Sequence, residues 1–468
     1  MQRNLSAKKR KGVVLMIMAC ALMFIVIPAV GLAIDGAVVY SVRAMLQSAT
    51  DAAAVSAVQA YSRGLSPTAQ QDMAMTTAKR YFRANINAAW VPLTAPDPVV
   101  TFPASPQPRT LVVNVASTAA APTYFMKMIG VNSVSVSAMA ETSRREVKII
   151  MVLDRSGSLA NSGSCDDLRV AANGFTDAFV DGRDQLGLIT FGTSYRTDFP
   201  IATNFKTTSG TTLPSMINNI NCVGGTNSAA AYWTGYQALI ANPEAGVLNV
   251  LLFFTDGQPN TVHVSNMEVQ GGYCSSTAAK SGVIAPSSNG ASVLGIYRAD
   301  PTGAPPVTND QRFITGSDGC RYFTNGAQNV PTDIVALTRA NVGMTDNQID
   351  IFGNSLLGYK PVNQNSGRIR IDQNSTIVNA GINALDSAAR RARNDANGRG
   401  LELITFAIGL SNTIGSAEDE LMNRVANTGA STAFQADRPA GMYVRADNES
   451  QLDEAFGHLA SDIMRVAK

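Results

Sequence analysis

The sequence contains few of the side chains on which enzyme catalysis depends. Histidine occurs only at His263 and His458 among 468 residues, and neither lies in a recognisable nucleophile–base arrangement. The chain also lacks a Gly-x-x-x-x-Gly-Lys-Ser/Thr motif for nucleotide phosphates and a His-Glu-x-x-His motif for a zinc protease. Ser156 has no evident base to activate it as a nucleophile. These absences predict a protein that is not an enzyme and has no small-molecule substrate.

An excess of positive charge is also missing. The chain has 37 Lys and Arg against 35 Asp and Glu, and five of the basic residues occur before residue 12. The remainder is therefore mildly acidic and has no basic stripe, which predicts that nucleic acid is not a partner.

Cysteine is scarce, and its spacing does not indicate a zinc site. Cys20 lies in an apolar run, whereas Cys165, Cys222, Cys274 and Cys320 are far apart in the sequence. Outside the cytoplasm these four thiols are expected to form two disulfides, for which the sequence alone allows three pairings.

A single long apolar segment follows the basic N-terminus. Residues 13–34 are uncharged, and no acidic residue precedes them. At about 1.5 Å per helical residue this run reaches roughly 33 Å, enough to cross a bilayer core. The one-sided positive charge predicts one transmembrane helix with a cytoplasmic N-terminus. The alternative is a signal peptide cleaved near Gly31-Leu32-Ala33, although the usual apolar core of such peptides is shorter.

Small residues recur at three- and four-residue steps after this segment, which predicts that the helix continues. The face consists of Val38, Val42, Met45, Ala49, Ala52 and Ser56. It packs either on a partner helix or on its own domain. Residues 63–145 are predicted to form a small α+β region, with a helix at 68–89 and strands at 111–117 and 131–137.

From residue 146 onward, strand-length apolar runs alternate with helical patterns. This alternation predicts an α/β fold with a doubly wound, mostly parallel sheet. The predicted strands are 147–153, 186–191, 247–255 and 401–408, and the predicted helices are 165–180, 227–241, 375–395, 416–427 and 449–466. Residues 258–372 are too many for a simple connection, so we expect an insertion with its own short strands.

Oxygen-bearing side chains follow two of these strands and occupy one glycine-rich loop. Asp154, Ser156 and Ser158 come directly after the first strand, Thr226 follows two glycines, and Asp256 follows a later strand. An open α/β sheet forms its ligand crevice at such strand ends. Two carboxylates and three hydroxyls suit Mg²⁺, or Mn²⁺ or Ca²⁺, better than zinc. The set leaves coordination positions for an acidic group of a partner.

This pattern resembles the metal-ion-dependent adhesion site of von Willebrand factor type A (vWA) domains. That family combines Asp-x-Ser-x-Ser, a Thr in a Gly-rich loop and an Asp after a later strand, and all three parts occur here in this order. The resemblance implies that Ser156, Ser158 and Thr226 approach the metal, whereas Asp154 and Asp256 act partly through water. It also implies a protein ligand that offers an acidic side chain.

One disulfide pairing fits this arrangement better than the others. Cys165 follows the Asp-x-Ser-x-Ser loop and Cys222 precedes the Thr226 loop, and both loops must converge on one metal. We therefore expect a Cys165–Cys222 bridge, which leaves Cys274 and Cys320 to close a loop elsewhere.

Residues 8–60 resemble the TadG-like proteins of tight-adherence (Flp) pilus systems. The resemblance rests on the basic start, the apolar span and the Ala-rich segment LQSATDAAAVSA, in a chain that also has the vWA motif. It implies a bacterial inner-membrane protein whose bulk is periplasmic or extracellular and whose partners include other Tad pilus components. Lys11-Gly12 is similar to a prepilin cleavage site, but Ile17 stands where such a site has Glu.

These observations predict a membrane-anchored protein of Flp pilus assembly or adhesion that binds a protein ligand through Mg²⁺. The alternatives are a generic anchored module for a protein or cell-wall ligand and a minor pilin-like tip adhesin. The predicted regions are 1–62 with the span at 13–34, then 63–145, then 146–468. The insertion leaves the sheet beside Asp256, so we expect it to influence which partner reaches the metal.

Overall fold

The computed structural model describes nine segments of the chain. They are residues 14–61, 66–86, 95–105, 107–207, 209–267, 280–286, 293–297, 374–411 and 417–467. The chain divides into two compact units, Met1–Arg144 and Arg145–Lys468. The first unit contains both N-terminal regions that the sequence analysis separates at residue 62. The second unit begins at Arg145, one residue before the predicted start of the vWA region. Cys274, Cys320 and most of the predicted insertion lie outside the described residues.

The first unit begins with one long helix, α1 (Val14–Tyr61), which is long and apolar enough to cross a membrane. Leu22–Val26 form a π-helical turn just before Pro28. Proline has no amide hydrogen to donate and its ring crowds the preceding turn, so a local change of helical hydrogen bonding there is expected. The helix thus continues well beyond the apolar segment, as predicted.

The C-terminal half of α1 packs on its own unit. Leu46, Ala49, Ala53 and Ala57 are fully buried, and α1 contacts the helix α2 (Pro67–Asn85). The small side chains allow these two helices to approach closely. Of the predicted small-residue face, Val42, Ala49 and Ser56 are buried and Val38, Met45 and Ala52 are half-buried, so this face packs within its own unit. The unit is completed by a three-stranded sheet made of β1 (Val99–Thr101), β2 (Thr110–Pro122) and β3 (Ser133–Arg145).

The second unit is built on a six-stranded sheet with the order β12-β11-β7-β4-β5-β6. All neighbouring strands are parallel except β5 and β6, which are antiparallel. The strands are β4 (Val147–Asp154), β5 (Gln185–Phe191), β6 (Tyr195–Ala202), β7 (Leu248–Thr255), β11 (Leu403–Leu410) and β12 (Met442–Ala446). The predicted doubly wound, mostly parallel sheet is confirmed.

Helices cover both faces of this sheet. Every residue of β4, β5 and β7 is consequently buried. Ile149, Met151 and Leu153 face one hydrophobic cluster, and Ile150 and Val152 face the other. The first face carries α4 (Cys165–Asp177), α5 (Leu213–Asn218) and α9 (Leu452–Val466), and the second carries α6 (Ser228–Ile240), α7 (Asn374–Gly398) and α8 (Ala417–Ala426). The short helix α3 (Gly157–Ser162) follows β4 directly.

The described part of the insertion forms strands, as expected. An antiparallel sheet with the order β10-β9-β8 consists of β8 (Val262–Met267), β9 (Lys280–Pro286) and β10 (Val293–Tyr297). Only five residues separate Asp256 from Val262, the start of β8. The insertion therefore begins at the edge of the main sheet where the candidate metal ligands lie.

Candidate metal centre

The first part of the site is the loop that leaves β4. Asp154 is fully buried, and its Oδ1 accepts a 2.8 Å hydrogen bond from the backbone N–H of Ser156. Its Oδ2 accepts a 2.6 Å hydrogen bond from the hydroxyl of Thr255, the last residue of β7. The carboxylate is thus held by its own loop and by the neighbouring parallel strand. Sequence spacing gave no signal for Thr255, because its role arises only from the pairing of β4 with β7.

The two serines of the motif connect this loop to Asp256. The hydroxyls of Ser156 and Ser158 are 2.9 Å apart, and the Ser156 hydroxyl donates to Asp256 Oδ1 at 3.1 Å. Ser156 also begins α3, yet its side chain makes no capping bond to that helix. Its hydroxyl is consequently directed at the carboxylates. Asp154, Ser156, Ser158 and Asp256 thus lie together in one cluster with hydrogen bonds among them.

The loop that carries Thr226 lies against the first loop. The Val223 N–H donates to Arg155 O at 2.7 Å, and the Gly157 N–H donates to Gly224 O at 2.9 Å. Gly224 has φ of +91°, a conformation that side chains other than glycine rarely adopt, so it allows this turn. The two glycine-containing loops are therefore fixed to each other by backbone hydrogen bonds.

Thr226 is also tied to the start of the insertion. It is 3% exposed, and its N–H donates to Asn260 Oδ1 at 2.8 Å. The backbone N–H groups of Asn260 and Thr261 both donate to Thr226 O, at 3.2 and 3.3 Å. The segment after Asp256 thus folds back onto the threonine loop. Asn260 is a further residue of the site that the sequence pattern did not reveal.

The predicted bridge between Cys165 and Cys222 is present, with a Cα–Cα distance of 6.1 Å. Cys165 is the first residue of α4, which follows the serine loop, and Cys222 immediately precedes the threonine loop. Arg169 of the same helix donates to Ile220 O at 2.9 and 2.6 Å, which adds a second connection beside the disulfide. The bridge therefore connects the two loops covalently, as their predicted convergence requires.

The carboxylates lie in an environment that disfavours their charge. Burial, and then the nearby Asp256, raise the pKa of Asp154 to about 8. Burial also raises the pKa of Asp256, although hydrogen bonds from the hydroxyls of Ser158 and Ser156 oppose this effect. A divalent cation beside the buried Asp154 and the half-buried Asp256 would favour the charged form of both carboxyls, which the protein alone disfavours. The donor set consists of hard oxygen atoms and fits Mg²⁺, Mn²⁺ or Ca²⁺.

Clusters of another chemical type are not found in the described segments. Among those residues, no group of three or more His, Cys, Asp and Glu side chains is arranged to hold a metal ion. A zinc centre built from imidazoles or thiolates is therefore not present there. The mixed carboxylate and hydroxyl cluster is the candidate that the geometry provides.

Comparison with known families agrees with this geometry. Residues 149–258 match the family model of the von Willebrand factor type A domain. Residues 12–60 match the TadE/G-like family of Flp pilus assembly. The chain combines a TadE/G-like N-terminal region with a vWA domain. The matched vWA segment contains all five predicted oxygen ligands, and the matched TadE/G-like segment contains the apolar part of α1. No curated protein matches the chain.

Several solved structures with a related fold come from pili. The PilB minor pilin from Streptococcus sanguinis has 15% identity and a TM-score of 0.39, with 81% of this chain and 79% of that chain covered. The vWF domain of the type V pili tip protein Mfa5 from Porphyromonas gingivalis has 11% identity and a TM-score of 0.38, with 69% and 97% covered. The pilus adhesin SpaC from Lactobacillus rhamnosus GG has 14% identity and a TM-score of 0.36, with 79% and 35% covered.

Removal of the disulfide is expected to destabilise the vWA domain. The bridge joins residues 57 positions apart, so on loop-entropy grounds its loss costs up to about 4 kcal/mol. Scanning calorimetry of the full chain with Cys165→Ala and Cys222→Ala checks this expectation. Cys20→Ser is the matched control, because Cys20 is a free, exposed cysteine whose replacement leaves the transition unchanged. Non-reducing peptide maps that pair Cys165 with Cys274 or Cys320 contradict the connectivity.

The raised pKa of Asp154 predicts an unusual pH dependence of stability without divalent cations. The carboxyl titrates near 3.8 when unperturbed and at about 8 in the fold, so the folded state holds its proton over this interval. The contribution of this proton to the free energy of unfolding is fully present below the unperturbed pKa of 3.8. It is lost as the pH rises through the pKa of about 8 in the fold.

In EDTA we therefore expect the melting temperature of the vWA domain to fall from about pH 5 to about pH 8. Asp154→Asn removes the titrating carboxyl and flattens this dependence. Asp166→Asn is the control, since that side chain is 83% exposed on α4. A profile for Asp154→Asn that falls as steeply as that of the unmodified chain contradicts the assignment.

Proposed function

We propose that this protein is anchored in the bacterial inner membrane and binds a protein ligand through a divalent cation held by its vWA domain. The observation that carries the proposal is the hydrogen-bonded cluster of Asp154, Ser156, Ser158 and Asp256 beside the buried Thr226. Mg²⁺ fits this donor set, and Mn²⁺ and Ca²⁺ are the alternatives. When bound, the ion supplies positive charge to which an acidic side chain of a partner attaches.

The residues of this chain prepare the site before any ligand arrives. The Thr255 hydroxyl and the Ser156 N–H orient the carboxylate of Asp154. The disulfide and the loop hydrogen bonds keep the serine and threonine loops together. Because these contacts exist within the folded domain, little conformational entropy is lost on binding. A pre-organised set of oxygen donors is what a binding site for a hard cation needs.

Binding explains the site better than catalysis does. His263 packs against the ring of Tyr195, and His458 faces Asp462 on the same helix. Each of these histidines thus has a neighbour other than a motif serine. The hydroxyl of Ser156 is engaged with a carboxylate and another serine and has the environment of a ligand atom rather than of a nucleophile.

The TadE/G-like N-terminal region favours a role in Flp pilus assembly or adhesion. One apolar helix at this end fits a single-pass membrane protein with a cytoplasmic N-terminus and a periplasmic or extracellular vWA domain. The insertion after Asp256 contributes Asn260 and Thr261 to the rim of the site. We therefore include it in the proposal as the segment that selects the partner, because loops on a rigid scaffold usually determine specificity.

The loss of Mg²⁺ affinity on substitution is expected to be larger for a direct ligand than for a residue that only orients a ligand. Thr255→Val removes only the hydroxyl that orients Asp154, so we expect a loss of roughly 10–100-fold in Mg²⁺ affinity, as is typical for outer-shell partners. Asp154→Ala and Asp256→Ala each remove half of the formal negative charge, and each is expected to lose more than this. Calorimetric titration of the full chain in detergent measures these affinities. The control is Asp166→Ala, and unchanged affinity in Asp256→Ala contradicts the proposal.

Capture of the partner tests the function itself. Crosslinking of the full chain in its native membranes, in Mg²⁺ or in EDTA, is expected to yield a partner only in Mg²⁺. Asp256→Ala is expected to lose this partner in both conditions, whereas Asp166→Ala retains it. A partner of the Tad system supports the pilus role. Capture that persists in EDTA and in Asp256→Ala means that the ligand binds elsewhere and overturns the metal-dependent mechanism.

A further inference from the structure

A turn in the first unit exposes several large apolar side chains. It comprises residues 123–131 between β2 and β3 and includes the 3₁₀ helix Met126–Ile129. Met128 is 85% exposed, Ile129 76%, Tyr124 51% and Phe125 38%. Contiguous exposure of this kind is uncommon on a soluble surface and usually marks an interaction site. We call residues 123–131 the apolar turn.

The apolar turn lies against the outer end of the apolar segment of α1. Gly31 is buried there, and a side chain at this position would meet the ring of Phe125 at 2.6 Å. One helical turn further on, the carboxylate of Asp35 accepts hydrogen bonds from three consecutive backbone N–H groups, at Tyr124, Phe125 and Met126. These distances are 2.7 Å to Tyr124 N, 3.0 and 3.2 Å to Phe125 N, and 2.6 Å to Met126 N. The turn is therefore fixed at the level of residues 31–35.

That level corresponds to the edge of the hydrocarbon core. Before Gly31 the large apolar side chains of α1 are exposed, for example Phe24 at 74% and Ile25 at 66%. From Val14 to Gly31 the helix rises about 25 Å, whereas a bilayer core is about 30 Å thick. A bilayer that covers the apolar segment of α1 therefore reaches the apolar turn as well.

The backbone of the turn is suited to an environment with little water. The N–H groups of Thr123, Met128, Gly130 and Val131 donate to carbonyls within residues 123–132, and those of residues 124–126 donate to Asp35. The Thr123 hydroxyl also donates to Val131 O at 2.5 Å. Backbone groups at membrane depth must be satisfied by protein, because lipid tails offer no hydrogen bonds. An ordinary surface turn has no such requirement.

We propose that the apolar turn is a second membrane contact, inserted into the outer leaflet of the bilayer that α1 crosses. Met128 and Ile129 enter the acyl region. Tyr124 and Phe125 lie at the interface, where aromatic rings are favoured, and Lys127 extends toward the lipid head groups. Since Asp35 and Gly31 attach the turn to α1, this contact also fixes the orientation of the first unit on the membrane. The inference rests on the proposed membrane span of α1.

Tryptophan placed at three exposed sites tests this proposal in the full chain. The variants are Met128→Trp in the turn, Ile25→Trp in the span, and Met139→Trp as the matched control. Met139 is 67% exposed, and its carbonyl accepts a hydrogen bond from Gln47, far along α1 from Gly31. Each variant is reconstituted into phosphatidylcholine–phosphatidylglycerol vesicles whose acyl chains carry bromine. Quenching is measured after subtraction of the signal of the native tryptophans, Trp90 and Trp233.

We expect the quenching of Met128→Trp to approach that of Ile25→Trp and to exceed clearly that of Met139→Trp. If Ile25→Trp is quenched but Met128→Trp behaves like Met139→Trp, the span stands and the second contact is wrong. If Met128→Trp is blue-shifted yet not quenched, a protein surface such as a second copy covers the turn, and the lipid contact is refuted. If Ile25→Trp is not quenched, the proposed span fails and the inference fails with it.

Discussion

The candidate site of the vWA domain depends on two carboxylates that lie side by side at the ends of adjacent parallel strands, one fully buried and one half-buried. Asp154 ends β4, and Asp256 follows β7, the strand with which β4 pairs. Two negative charges this close together, with little water around them, are unfavourable unless a compensating charge arrives, and the raised pKa values of both groups express this cost. The hydroxyls around them moderate this cost without removing it. The fold therefore keeps a locally unfavourable arrangement, which is a common property of binding sites.

The rest of the site can be understood as support for this pair. The loops that supply Ser156 and Thr226 come from distant parts of the sequence, and both would be free to separate if only side chains connected them. Backbone hydrogen bonds through Gly157 and Gly224, together with the Cys165–Cys222 bridge, join them. Asn260 then fixes the threonine loop to the segment after Asp256. Three loops are thereby held in one arrangement before a ligand is present, so the binding energy is not spent on ordering them.

Strands that are buried on both faces were predicted from the sequence more accurately than partly exposed strands. β4, β5, β7 and β11 were predicted to within two residues, because strands buried on both faces are continuous apolar runs. β6 and β12 were not predicted, since their side chains are mixed and partly exposed at the sheet edges. The candidate ligands follow a fixed spacing, so the sequence alone was enough to nominate them. Thr255 and Asn260 were missed because their contribution is a hydrogen bond across the fold, which no local pattern encodes. The apolar turn was missed for a similar reason, because its meaning depends on its position beside Gly31.

Comparison of two buried carboxylates explains why one is structural and the other is available to a ligand. Asp35 accepts from three consecutive backbone N–H groups of the apolar turn, which together satisfy a carboxylate charge without any cation. Asp154 is also buried, but it accepts one hydrogen bond from a backbone N–H and one from the Thr255 hydroxyl, and a second carboxyl lies beside it. The amide donors around Asp35 stabilise its negative charge without a cation. The surroundings of Asp154 leave its negative charge poorly stabilised. The same type of side chain therefore fastens a turn in one unit and belongs to the candidate metal centre in the other. The difference lies in the number of amide donors that the local backbone provides and in the second carboxyl beside Asp154.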